Sequence, residues 1–178
     1  GYADLGWEDF YGFYAASSPY VLFVSGNSPY QTAQQLFDAM RGDPSMKWGN
    51  AGLGSINQLT GSLMLEKLGL KGNSVPYDGG RSAAIKVVAG EVTWSWCGLS
   101  DILDLAQSGD IRILGICDSS PREIDCAKGN YTVPSLLDDY PELSDLQGLL
   151  YWGFRVSRDT PAEAVAKIRD AFQSTVDS

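Results

Sequence analysis

The sequence predicts an α/β fold: a sheet dominated by parallel strands, with helices on both faces. Three observations carry this. Strand-length apolar runs alternate with amphipathic helical stretches from Tyr20 to Ile116, the order that βαβ crossovers produce. Helix boundaries are marked repeatedly, by Ser or Thr three residues ahead of Gln or Glu and by glycines at the ends. The connections are short, so a parallel sheet would be covered on both faces.

The elements follow in order. Tyr20–Val24 is the first strand candidate of this alternation. Ser28-Pro29-Tyr30-Gln31 reads as a capping box with proline at the first helical position, and Ala33, Leu36, Phe37 and Met40 form one apolar face before the Gly42 stop. A strand at Met46–Gly49 leads to a helix opened by Ser55 and Gln58, with Ile56, Leu59, Leu63 and Leu68 directed inward and Gly69 as the stop. A strand at Ser74–Tyr77 precedes a short helix, Ser82–Ala89, ended by Gly90. The strand Val92–Trp96 places Trp94 and Trp96 on one face, read as core, with a cofactor shelf as the alternative. Ser100 then caps a helix with Asp101 and Asp104 in its first turn, where the macrodipole favours anions; Gly109 ends it. After the strand Ile111–Ile116 comes an aperiodic loop from Cys117 to about Tyr131. The chain closes with a helical Pro134–Asp139, a strand Leu150–Val156, and a helix opened by Thr160 and Glu163 with Val165, Ile168, Phe172 and Val176 on one stripe.

Composition narrows the function. The 178 residues are ample for a real core. Thirteen Lys+Arg against 22 Asp+Glu, a net charge of −9, argue against nucleic acid, whose phosphates reward clustered cations. No apolar run reaches the roughly 18 residues of a membrane span. There is no histidine, which removes Ser-His-Asp and Cys-His catalysis and His-based zinc sites. Cys97, Cys117 and Cys126 contain no C-x-x-C and cannot complete a tetrahedral zinc site alone. Binding is favoured over catalysis, without cofactor or metal.

Ligands of an open parallel sheet gather beyond the carboxyl ends of its strands, and three turns there are informative. In the first, Asn50, Gly52, Leu53, Gly54 and Ser55 form a glycine-rich turn running into a capped helix. Glycines admit close backbone approach, and free N–H groups at a helix start attract anions. The spacing matches neither dinucleotide nor P-loop patterns. In the second, Tyr77 offers an amphipathic ring, Gly79, Gly80 and Ser82 offer backbone, and Arg81 offers a planar fork suited to a carboxylate; a packing Tyr and a solvated Arg remain the alternatives. In the third, Cys97 and Gly98 fall at a strand end, where a ligand can touch their backbone; as a nucleophile Cys97 lacks a histidine partner, and its side chain reads as a small buried hydrophobe.

These turns, in this order, resemble the substrate-binding proteins of tripartite tricarboxylate transporters, the TctC or Bug family. The family's "S-x-P-x-V-L-V-V" resembles Ser18–Val24, and its "S-P-[FY]-x-T-x-x-[ED]-L" resembles Ser28–Leu36. The turn "Y-G-S-x-G-x-G-[TS]" resembles Trp48–Ser55, and "V-P-Y-K-G-G" is similar to Val75–Gly80 with Asp78 replacing lysine. "G-x-V-D-V-x-F-D" resembles Gly90–Cys97, "A-G-K-L-R-x-L-A-V" resembles Ser108–Ile116, "V-P-T-L-x-E" resembles Val133–Asp138, and "G-T-P-x-x-V-x-x-[IL]" resembles Asp159–Ile168. The similarity extends over nearly the whole chain.

The resemblance implies a periplasmic binding protein-like fold (type II) of two lobes closing over a small carboxylate, held largely by backbone amides. It implies a complete second lobe at residues 19–117, with residues 1–18 and 118–178 as the crossover and returning part of a first lobe whose opening βαβ segment is not among these residues. It also implies a non-enzymatic receptor outside the cytoplasmic membrane, with transporter membrane subunits as partners and any signal or anchor segment outside this chain. The alternative is a sensor domain of the same fold. Cys97 stands where the family has an acid, and Arg81 where it usually has a small residue. An extracytoplasmic setting also implies a Cys117–Cys126 disulfide across a ten-residue segment, with Cys97 free.

Overall fold

A computed structural model describes residues 5–126, 129–147 and 150–177. Along the chain the strands are β1 (Phe10–Ser18), β2 (Tyr20–Ser25), β3 (Lys47–Asn50), β4 (Asn73–Pro76), β5 (Trp94–Gly98), β6 (Ile111–Ile116), β7 (Arg122–Ile124), β8 (Tyr131–Val133) and β9 (Leu150–Ser157). The helices are α1 (Ala33–Gly42), α2 (Ile56–Lys67), α3 (Gly80–Val88), α4 (Leu103–Ser108), α5 (Leu136–Asp139) and α6 (Ala162–Val176). They form two compact units. One comprises Ser18–Leu150; the other is made from the two ends of the chain, up to Ser17 and from Tyr151 onward.

The larger unit is built on a five-stranded sheet in the order β4-β3-β5-β2-β6. β3 is parallel to β4 and β5, whereas β2 is antiparallel to β5 and β6. The sheet is therefore mixed: β2 alone runs against its neighbours, and the parallel crossover expected from β2 through α1 to β3 does not form. Tyr20–Val24 are fully buried, and β2 is an interior strand between β5 and β6. A continuous apolar run specifies burial on both faces but not direction.

Helices cover both faces, as expected. Tyr20, Leu22 and Val24 point into a core with Leu36, Phe37 and Met40 of α1 and Met64 and Leu65 of α2. Val21 and Phe23 point into a second core with Ala84 and Val87 of α3 and Ile102 and Ala106 around α4. Trp94 and Trp96 are core residues on one face. Trp94 stacks on Trp48, with centroids 5.1 Å apart, and Trp96 stacks on Tyr20 at 5.4 Å. Trp96 Nε1 donates to Thr60 Oγ1 at 3.0 Å.

Several local expectations are corrected. The cap of α1 is Thr32, not Ser28: Thr32 Oγ1 accepts from Gln35 N–H at 3.2 Å, and Gln35 Oε1 returns to Gln31 N–H at 2.7 Å. This second Thr-x-x-Gln satisfies orphan donors directly ahead of the apolar face. α2 is capped by Ser55 as predicted, but its buried face is Asn57, Thr60, Gly61, Met64 and Leu65, while Ile56, Leu59 and Leu63 are exposed. Gly61 explains the rotation: a Cβ there would lie 2.8 Å from the Trp48 ring, so the helix lays its glycine against that indole. Ser100 does not cap α4; its N–H is bound by Ser18 Oγ at 3.1 Å, and Leu99–Asp101 form a 3₁₀ turn. The supposed loop after Cys117 contains the antiparallel hairpin β7–β8. Its Ile124 and Val133 join one core, and Leu136, Tyr140, Leu143 and Leu146 join the other. The unit thus continues to Leu150 rather than ending at Cys117.

The expected disulfide is absent: all three cysteines are free thiols. Cys117 lies in the α1/α2 core, its Sγ 3.7 Å from Leu143 O, whereas Cys126 packs against the α3/α4 core, its Sγ 3.3 Å from Ala106 O. Proximity in sequence does not bring together two sulfurs that belong to opposite faces of a sheet.

The smaller unit pairs β1 with β9 and adds α6. Phe13 stacks on Phe154 at 5.0 Å, and Phe172 meets both rings edge-on. Val165 is buried and Ile168 and Phe172 are partly buried, so most of the predicted stripe holds; Val176 is exposed. Thr160 supplies no side-chain cap, and Pro161 occupies that position.

Candidate functional site

β3, β4 and β5 end at Asn50, Pro76 and Gly98, and the turns beyond them feed α2, α3 and the 3₁₀ turn before α4. Asn50 organises this end of the sheet. It is buried; its Nδ2 donates to Ser74 Oγ at 2.8 Å, and its Oδ1 accepts from Gly52 N–H at 3.0 Å. Its carbonyl accepts from Tyr77 N–H at 2.9 Å, tying the first turn to the second. Asn50 therefore shapes this end of the sheet, with one of its two Nδ2 donors committed to Ser74.

The first turn is less open than expected. Gly54 N–H is bound by Gln58 Oε1 at 2.6 Å, and Ser55 N–H by Gly52 O at 3.2 Å. Ser55 Oγ caps Gln58 N–H. Among the described residues, the N–H groups of Ile56 and Asn57 are left without partners at the start of α2. Leu53 is exposed at the tip of the turn.

The second turn is more open. Gly79 is the N-cap of α3, with φ +92°, and provides no side-chain cap. The helix therefore begins two residues earlier than predicted. The N–H groups of Gly80, Arg81 and Ser82 find no partner among the described residues. A residue with a Cβ would be strained at that φ, and a Ser or Asp cap would occupy the donors. Tyr77 is half-buried beside the turn, its ring 3.4 Å from the position a Cβ on Gly49 would take.

Arg81 is placed differently from the expectation. Its fork grips the Asp104 carboxylate, with Nη2 to Oδ2 at 2.7 Å and Nη1 to Oδ1, and Nη1 reaches Asp101 O at 3.4 Å. This pairing holds the Asp104 carboxyl below its ordinary range and raises the guanidinium. In this structure the planar fork is seated on a carboxylate of its own chain.

The third turn brings in residues that the sequence reading missed. Cys97 is fully buried; burial first, and then the charge of Asp101, push its thiol well up. It behaves as core, as its lack of a histidine suggested. Beyond it, a Cβ on Gly80 would meet Asp101 Oδ2 at 2.8 Å, Cys97 Cβ at 3.2 Å and Asn57 Nδ2 at 3.4 Å. A Cβ on Gly98 would meet Leu150 at 2.4 Å, Ser18 Oγ at 3.5 Å and Asp101 Oδ2 at 3.7 Å. The start of α3, the end of β5, Asn57 and Asp101 thus converge. Burial holds the Asp101 carboxyl above the ordinary aspartate range, and burial pushes the nearby Tyr20 hydroxyl up to about 12. Asn57, the second residue of α2, reads in sequence as an ordinary polar residue at a helix start. Asp101 reads in sequence only as a helix-start acid.

The arrangement combines two helix starts, several free backbone donors and one desolvated acid: an anion-attracting floor with a single acceptor beside it. No helix of the described residues is long and apolar enough to cross a membrane.

A family model for the tripartite tricarboxylate transporter family receptor, TctC, matches residues 2–178. The chain belongs to the TctC family. Among solved structures, a TctC solute-binding protein from Polaromonas is 22% identical with a TM-score of 0.76, over 99% of this chain and 58% of that one. A periplasmic transporter structure is also 22% identical, with a TM-score of 0.80, over 93% of this chain and 54% of the other. MatC from Rhodopseudomonas palustris with bound malate is 20% identical, with a TM-score of 0.77, over 94% and 56% of the two chains. This chain thus spans little more than half the length of these TctC-like structures, and shares with them a periplasmic binding protein-like α/β fold. No curated protein sequence matches it.

Proposed function

We propose that this TctC-family chain contributes to an extracytoplasmic solute receptor that binds a small carboxylate at the turn ends of β3, β4 and β5 and presents it to transporter membrane subunits. The observation that carries the reading is the uncapped start of α3: Gly79 leaves the N–H groups of Gly80, Arg81 and Ser82 without partners among the described residues, beside Asn57 and the start of α2. A carboxylate there gains several charge-assisted hydrogen bonds and a favourable dipole. Local donors outweigh the net charge of −9 at contact range. Malate bound to MatC and adipate bound to another R. palustris structure of the same fold support the ligand class. Asp101 adds selectivity, since a partly buried acceptor favours a ligand that also carries a hydroxyl or ammonium donor. A non-catalytic role fits a chain that contains no histidine to serve as general base.

Calorimetry with malate, adipate, succinate and aspartate tests this directly. At least one should bind, and Gly79→Ala should weaken it by about tenfold or more, equivalent to roughly 1.4 kcal/mol. No binding by any of the four, or turnover of a bound acid, would reject the proposal.

A further inference from the structure

A cavity of about 530 Å³ opens at the opposite edge of the sheet, along the amino-terminal half of β6. Its walls include Gln34 of α1, Arg112 and Leu114 of β6, Tyr131 and Thr132 of β8, and Leu136 of α5. β6 is an edge strand, and two of its outward N–H groups are closed off, Ile113 by Tyr131 Oη at 3.4 Å and Ile116 by Pro134 O at 3.0 Å. Between these ties and α1 the space is open.

Arg112 is the anomaly of this cavity. It is half-buried, and its Nη1 is shut off from water with no hydrogen-bond partner. Arg41, Arg81 and Arg122 each meet an aspartate, but Arg112 forms no ion pair among the described residues. Arg112 as a residue lines the cavity, and an anionic acceptor there would pair a guanidinium that has no ion-pair partner among the described residues. The first turn of α1 forms another part of the wall, where the N–H groups of Ala33 and Gln34 have no partner among the described residues. The remaining lining sets Ile111, Ile113, Leu114 and Leu136 beside the polar Thr32, Thr132 and Ser135, and a cavity of this size is in the range of small-molecule sites.

We infer that this cavity binds a monocarboxylate with an apolar body, its carboxylate on Arg112 and its hydrocarbon against Leu114 and Leu136. A second charge is disfavoured, because Asp139 also lines the space and Arg112 is the one cationic side chain among the described residues of the lining. The site is separate from the turns beyond β3–β5, and the inference stands independently of their reading.

Octanoate, octanol and adipate titrated into the protein, with amide chemical shifts followed by NMR, provide the test. Octanoate should bind and shift Ala33, Gln34 and Ile113, with octanol and adipate about tenfold weaker or worse. Arg112→Leu should weaken octanoate by at least about tenfold, with Arg112→Lys intermediate. Equal binding of octanoate and octanol, an unaffected Arg112→Leu, or shifts confined to residues 79–82 would overturn the proposal. If Arg112→Leu does not fold, Thr132→Trp on the exposed hairpin fills the cavity instead. It should abolish octanoate binding, and unchanged binding would likewise overturn the site.

Discussion

Asp101 closes over Gly80: a Cβ on that glycine would stand 2.8 Å from Asp101 Oδ2 and 3.2 Å from Cys97 Cβ. The start of α3 and the end of β5 can meet only through a residue without a side chain. Gly80→Ala should therefore cost about 1–3 kcal/mol, the usual penalty of overpacking, and should also displace Asp101. Gly42→Ala is the control. Nothing lies within 4 Å of its Cβ position, and alanine at the end of α1 should be neutral or slightly stabilising. Urea denaturation of both variants distinguishes a packing effect from a general intolerance of alanine.

The Asp101 carboxyl is held above its ordinary range by burial. Its folded-state pKa exceeds its unfolded value, so between the two the native state binds more protons than the unfolded chain. Its contribution therefore falls as pH rises through that window: it is a penalty at neutral pH, relieved in acid. Asp101→Asn should raise stability at neutral pH, and the gain over wild type should shrink as pH drops into the carboxylate range. A gain that grows in acid would contradict this assignment. The same variant should bind succinate more tightly and lose preference for malate or aspartate.

The Arg81–Asp104 pair is exposed on both sides. Such pairs contribute little to stability because water and salt screen them. Arg81→Ala should leave the melting temperature and carboxylate affinity nearly unchanged, since its fork is already occupied. A loss of about tenfold in affinity would return Arg81 to the site.

Three free thiols should be titrated in denaturant. In the native protein Cys126 should react first, because it is only partly buried, whereas Cys97 and Cys117 are buried. Burial pushes the Cys117 thiol up to about 12 and Cys97 well above its ordinary value, so little thiolate is present to react. A single thiol in denaturant would restore the Cys117–Cys126 bridge.

The sequence by itself determined most element types between Tyr20 and Ile116, the two-sided core and the family, but neither β1 nor the β7–β8 hairpin. Alternating apolar runs, the Ser55–Gln58 cap and the αL glycines at Gly69, Gly90 and Gly109 act within a few residues, so they read directly from the chain. The aromatic positions Trp94 and Trp96 followed from strand alternation. Only the tertiary structure decided what depends on distant partners. The reversed direction of β2 was set by neighbours β5 and β6, and the rotation of α2 by one indole against Gly61. The separation of Cys117 from Cys126 was set by opposite faces of the sheet, and the diversion of Arg81 by Asp104. The candidate site divides the same way. Its glycine turns were legible because backbone conformation constrains residue type locally. Asn57, Asp101 and the unpaired Arg112 were not legible, because an ordinary polar side chain acquires a role only from what folding buries beside it.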